Sequence, residues 1–250
     1  MKKVLFLIPL LFLTTSCKSK SSSSVLEYEM KADNTYRVFL SEDSKEKSIT
    51  IPKKYNKKDV TEISGFRNND YLEKVKFYGN ISKVDDGSFT FCTNLKSITV
   101  EKSDFYSSSD GILYKDDYLI CYPSGKKDKE LILRKNIKSK AFTLAPYLER
   151  VIIHSKKVEE NAFYYLENLS EIVISDGVEN ISDNFFYGNE IDRVIIKDKD
   201  ITGKININYA KEIYAIEYVA LSLETQKHYT KTNVDKIDDV VYEVYSLKKE

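Results

Sequence analysis

The chain is expected to fold as a repeat solenoid of the α/β class, with parallel β-strands stacked coil upon coil and joined by short helical turns or loops. Three observations point there. A phenylalanine is followed by Leu or Ile six residues on, by Val or Ile three later, and by a last apolar residue two beyond that. The pattern occurs as Phe66/Leu72/Val75/Phe77, Phe89/Leu95/Ile98/Val100, Phe142/Leu148/Val151/Ile153, Phe163/Leu169/Ile172/Ile174 and Phe185/Ile191/Val194/Ile196. The Phe-to-Phe steps are 23, 53, 21 and 22, so one unit recurs with a single long interval. Finally, the apolar-x-apolar tail has the period of a strand with one face buried, whereas the segment before it is too short for a stable isolated helix.

One such unit cannot bury its own Phe and Leu. Stacking buries them, because each strand pairs with the next and the apolar residues line up in internal columns. The residue before each Phe is Gly65, Ser88, Ala141, Ala162 or Asn184, small in four cases, as a turn pressed against its neighbour requires.

These copies resemble the BspA-like class of bacterial leucine-rich repeats. The resemblance covers roughly residues 48 to 203 and includes an apolar pair ahead of Phe, seen as Val60/Ile63, Ile81/Val84 and Val178/Ile181, and the stretch from Cys92 to Leu95. It implies a leucine-rich repeat solenoid on a bacterial surface, of a kind often credited with adhesion.

In chain order, Lys2 and Lys3 precede the apolar run Val4 to Leu13, the make-up of a secretory signal and too short to span a bilayer. The run ends Leu13-Thr14-Thr15-Ser16-Cys17, similar to a bacterial lipoprotein processing site, which implies removal of residues 1–16 and lipid attachment at Cys17. Residues 17–24, rich in Ser and Lys, read as a flexible tether. Residues 25–47 hold two apolar-rich stretches around Asp33-Asn34 and read as a hairpin capping the open end of the stack. The solenoid is placed at 48–203. Within it, residues of about 105–130 form an inserted β-hairpin, either a ligand-contacting arm or structural padding, after which Leu131-Ile132-Leu133 resumes the repeat. Residues 204–250 are taken as a C-terminal cap, with a strand at Ile205-x-Ile207, a helix over Ile216 to Tyr229 and a strand over Val240 to Tyr245.

Charge is balanced, with 39 basic and 39 acidic residues, which gives no basic footprint for nucleic acid or for anionic lipid. Catalytic and metal-binding signals are sparse. His154 and His228 are the 2 histidines, and neither stands in a ligand-spaced pair. With 8 glycines there is little material for phosphate cradles, and Asp85-Asp86 and Asp116-Asp117 read as turn residues. Neither enzymatic activity nor a cofactor is expected. Cys92 and Cys121 read as free thiols, since sequence cannot place them together.

Function is expected on the outward strand face, which exposes Lys74/Lys76, Ser97/Thr99, Arg150/Ile152, Glu171/Val173 and Arg193/Ile195. Arg150, Glu171 and Arg193 alternate in sign and suit a self-satisfying ladder. Ile152, Val173 and Ile195 form an apolar stripe, either a contact surface or a row covered by the cap or the hairpin. The 19 tyrosines, without tryptophan, suit recognition but equally flank the core. The functional expectation is a lipid-anchored surface protein, held to the membrane through Cys17, that binds a protein or glycan in the manner of an adhesin. The alternative is a carbohydrate-binding or envelope-structural lipoprotein without a host protein partner.

Overall fold

In the computed structural model, described over residues 25–188, 190–202, 204–216 and 220–248, each repeat makes one coil. Each coil lays short extended segments onto those of its neighbours. The leader 1–16, Cys17 and the tether 17–24 lie outside the described residues.

The apolar-x-apolar tails form the main stack. Ser48–Thr50, Lys74–Tyr78 and Ser97–Glu101 pair in parallel, with Ile49 opposite Val75 and Val75 opposite Ile98. Farther along, Glu130–Leu133, Arg150–Ile153, Glu171–Ile174, Ile191–Ile196 and Ala210–Ile216 do the same, in the register Val151, Ile172, Val194, Ile213. Residues equivalent in the repeat therefore sit directly opposite one another. A second stack joins the segments ahead of each Phe through Leu119, Ile137, Val158 and Ile181. A third stack joins Phe142–Thr143, Phe163–Tyr164 and Phe186–Tyr187. Among the described residues turns make most of these connections, and one helical turn, Lys199–Thr202, lies between Ile191–Ile196 and Ala210–Ile216.

The interior is aromatic at its centre. Phe66, Phe142, Phe163 and Phe185 are fully buried. Ring centroids lie 5.6 Å apart for Phe66 and Phe89, 4.8 Å for Phe142 and Phe163, and 6.3 Å for Phe163 and Phe185. In the last coil the backbone register pairs Phe163 with Phe186, one residue beyond the Phe that the spacing selects. Counting forward from Ile181 reaches Phe186 and counting back from Ile191 reaches Phe185, so this coil buries both rings.

The long interval hides a further copy. Tyr122 stacks on Phe142 with centroids 4.9 Å apart and occupies the phenylalanine place. Asp128 stands where the repeat has Leu and accepts a 2.9 Å hydrogen bond from the Tyr122 hydroxyl. Burial, reinforced by that hydrogen bond, pushes the Tyr122 phenol up from its usual pKa. A polar pair has replaced the Phe and Leu of one coil, which is why their spacing does not reveal it.

The insert is part of the wall. Ser107–Ser109, Ile112–Lys115 and Tyr118–Cys121 make an antiparallel meander whose last strand pairs in parallel with Asn136–Ile137. Its first turn uses left-handed backbone at Asp110 and Gly111, and a Cβ on Gly111 would lie 2.8 Å from the Ser97 Cβ. Adjacent residues face different interiors: Leu113 belongs to the core of residues 36–113, Ile112 to the core that runs on to Tyr229. The meander thus partitions the two.

At the N-terminal end, Leu26–Met30 and Tyr36–Leu40 form the expected hairpin, and the second strand also pairs in parallel with Lys58–Ile63. Glu62, 1% exposed, is held by Arg37 at 2.6 Å, Lys83 at 3.0 Å and Lys31 at 3.4 Å. Stacking continues beyond residue 203. Ile205 and Ile207 are buried but not in a strand, and the next strand is Ala210–Ile216. Val240–Leu247 and Tyr229–Ile237 then extend the sheet in antiparallel fashion. Of the helix expected from Ile216 to Tyr229, the turn Leu223–His228 is helical, capped where the Ser222 hydroxyl accepts the Thr225 amide at 3.2 Å.

Candidate binding surface

On the outer side of the main stack, Glu130, Arg150, Glu171 and Arg193 fall opposite one another because parallel pairing repeats the register. Glu171, its side chain 12% exposed, is the hub: it accepts hydrogen bonds from Arg150 Nε and, at 2.7 Å, from Arg193 Nε. Arg150 also donates to Glu130. The Arg193 guanidinium lies 5.5 Å from the centre of the Tyr214 ring. The hydrogen bond to Glu130 leads in holding the Arg150 pKa above its usual value; burial opposes the charge on Arg193, and Glu171 outweighs it. Each charge meets a partner inside the row.

The apolar stripe is covered over much of its length. Val173 is 2% exposed and Ile195 is 3% exposed; together with Tyr214, Tyr242 and Val244 they form a small second core on the outside of the sheet. Ile152 is half-buried against it. Of the two alternatives for the stripe, the structure shows the cover by the C-terminal cap, and the outward exposure expected of Val173 and Ile195 is corrected. The added strands Ala210–Ile216 and Val240–Leu247 turn apolar side chains to the same face, and these pack over the stripe.

Lys74 and Lys76 belong to the other main stack, apart from the arginine ladder. Lys76 pairs with Glu101 at 2.6 Å and lies 5.5 Å from the Tyr78 ring centre. Cys92 is buried, and its thiol donates to the Phe66 carbonyl at 2.9 Å. Burial pushes the Cys92 thiol up to about 11 and raises the Cys121 thiol as well, so both are poor nucleophiles near neutral pH. His154 is exposed, 3.5 Å from the Ser175 hydroxyl, and His228 is exposed at the end of its helical turn. Asp85 accepts the Ser64 hydroxyl and pairs with Lys83, and Asp117 pairs with Lys135. Among the described residues, no cluster of three or more His, Cys, Asp or Glu could hold a metal ion.

A surface that the sequence reading passed over lies outside the phenylalanine stack. There the strand period turns Phe163 inward and Tyr164 outward, and Phe186 inward and Tyr187 outward. Tyr164 and Tyr187 stack at 5.5 Å, and Tyr165 meets both edge-on at 4.6 and 6.0 Å. Phe91 reaches Tyr164 at 6.1 Å, passing over the small, buried Thr143. Tyr165 and Tyr187 are 40% and 45% exposed. The legible signal was the run Phe-Tyr-Tyr beside Phe-Phe-Tyr at matching places in two coils.

The family model for the BspA type leucine-rich repeat region matches this chain in 6 copies, over residues 36–116 and 135–248. The chain belongs to that family. The stretch of this BspA-type protein left between the matched regions contains Tyr122 and Asp128, the coil in which a hydrogen-bonded pair replaces the apolar one. Among solved structures, the pneumococcal vaccine antigen PcpA is similar at 22% identity and a TM-score of 0.43, covering 57% of this chain and 44% of its own. The BspA-type chain thus spans less than half of the PcpA chain. A leucine-rich repeat protein from Eubacterium ventriosum is 14% identical with a TM-score of 0.43, covering 82% of this chain and 75% of that one. A leucine rich cell surface protein from Faecalibacterium prausnitzii is 15% identical with a TM-score of 0.39, covering 82% and 92%. No curated protein sequence matches at a significant level.

Proposed function

We propose that this chain is an exported bacterial lipoprotein, anchored through Cys17, that binds another macromolecule at the cell surface through the outward faces of its coils, in the manner of an adhesin. The observation that carries the reading is the contiguous aromatic row outside the phenylalanine stack, which the buried core does not require. Large exposed apolar groups in contact with one another mark contact surfaces more often than scattered ones do. Membership of the BspA-type family supports a solenoid that works by presenting surface, and the apolar run ending at Cys17 supports export and lipid attachment.

Two measurements test the two halves of this reading. Metabolic labelling with an alkyne-bearing fatty acid should tag the wild-type chain and not Cys17→Ala, and protease added to intact cells should remove it. Equal labelling of the two would end the lipoprotein assignment. Beads coated with the full chain should retain at least one of a panel of purified extracellular-matrix proteins. Failure across that panel, with lipid attachment intact, would favour an envelope-structural role instead.

A further inference from the structure

The aromatic row differs from several other exposed tyrosines in what lies against its rings. Elsewhere the protein supplies its own cations: Lys45 stands 5.9 Å from the centre of the Tyr71 ring, Lys115 5.4 Å from Tyr106, Lys138 5.3 Å from Tyr118, Lys127 5.8 Å from Tyr147 and Arg193 5.5 Å from Tyr214. Each is attracted by the negative face of the ring. Among the described residues no lysine or arginine is so placed over Tyr164, Tyr165 or Tyr187, and residues 160–169 and 183–190 contain neither. The charges nearest to the rings in sequence are acidic: Glu160 and Glu167 lie within four residues of Tyr164, and Asp183 four before Tyr187. Glu160, Glu167 and Asp183 are exposed, and among the described residues none of them forms an ion pair.

The backbone adds an independent observation. The position two residues after each early Phe is left-handed, with φ of 58° at Asn68, 58° at Phe91, 50° at Leu144 and 54° at Tyr165. Asn or Gly suits that conformation, and bulky side chains there cost free energy. The protein nevertheless places Phe91 and Tyr165 at two of these points and leaves their rings at least partly exposed. In the next coil, left-handed Gly188 makes room for a neighbour: a Cβ there would come within 2.6 Å of Tyr165 Cε1. The row is thus held in place by positions that local backbone preference alone would fill differently.

We propose that this row is a docking site for a basic segment of a protein partner, with arginine or lysine side chains capping the rings of Tyr164, Tyr165 and Tyr187 and pairing with Glu160, Glu167 and Asp183. The proposal rests on the surface-binding function above and names both the place and the partner's chemistry. Charge complementarity decides the occupant. Carboxylates close in sequence to cation-free rings match guanidinium and ammonium groups, and other tyrosine rings on this molecule already receive such groups.

The test uses the purified full-length chain and three probes: a fluorescent peptide of alternating Arg and Gly, its Glu and Gly counterpart, and cellohexaose. The arginine peptide should bind, weaken as salt is raised, and bind about tenfold more weakly to Tyr165→Ala/Tyr187→Ala. Tyr165→Leu/Tyr187→Leu, which keeps apolar bulk without the aromatic face, should lose affinity to a similar degree. Tyr147→Ala should not, because Lys127 already occupies that ring. Circular dichroism melts of all variants identify any that fail to fold. Equal binding of the glutamate peptide, or arginine-peptide binding indifferent to both double variants, would overturn the proposal. Cellohexaose binding that is lost in the alanine variant would overturn it in favour of a glycan site. If no probe binds while matrix proteins are still captured on beads, this site assignment falls and the surface-binding function stands.

Discussion

The outer face of the main strand stack and the outer face of the phenylalanine stack belong to the same coils, yet they are finished differently. On the first, Glu130, Arg150, Glu171 and Arg193 satisfy one another, and Val173 and Ile195 are covered by Tyr214, Tyr242 and Val244. On the second, Tyr165 and Tyr187 are exposed, and among the described residues no cation stands over either ring. Outward position in a solenoid therefore does not by itself mean availability. A row closed by its own neighbours contributes to folding, and a row left open is free to meet a partner.

That contrast sets the order of expected effects. Val173→Glu buries an unpaired carboxylate in the outer core and should destabilise by about 4 kcal/mol or prevent folding, read by urea denaturation. A loss below about 1 kcal/mol would mean that the stripe opens readily to water. Glu171→Ala leaves Arg150 and Arg193 without their shared acceptor. It should cost about 1–2 kcal/mol, part of the ladder's attraction being screened because both arginines are substantially exposed. Tyr187→Ala, on the open face, removes only ring contacts with Tyr164 and Tyr165 and should cost no more than about 1 kcal/mol, seen as a small fall in the denaturation midpoint. A large loss there would show that the aromatic row is structural and erase the distinction between the faces.

The inward half of the fold was largely legible. Phe, Leu, Val and Ile recur at a constant spacing because every coil must place them in the same columns, and parallel pairing turns that spacing directly into register. The Tyr122 coil was not legible, since its hydroxyl needs Asp128 where other coils need Leu, and the apolar pattern breaks at both positions. The expected hairpin exists, but whether it projects or closes a wall depends on the pairing of Tyr118–Cys121 with Asn136–Ile137, a choice made between distant segments. The ladder of Arg150, Glu171 and Arg193 could be read from alternating sign. The cover over Val173 and Ile195 was legible only as one of two alternatives, because Tyr242 and Val244 reach it through sheet order. The tyrosine row was open to a period-two reading of the residues just after each buried Phe, a reading that core-centred spacing overlooks.

All of this depends on successive coils stacking their rings inside each core, as where Phe163 sits between Phe142 at 4.8 Å and Phe185 at 6.3 Å. The most direct measurement is the urea-unfolding free energy of Phe163→Ala against wild type. A loss of about 3–5 kcal/mol is expected if the ring fills that column, and a loss below about 1 kcal/mol would contradict the stacked core.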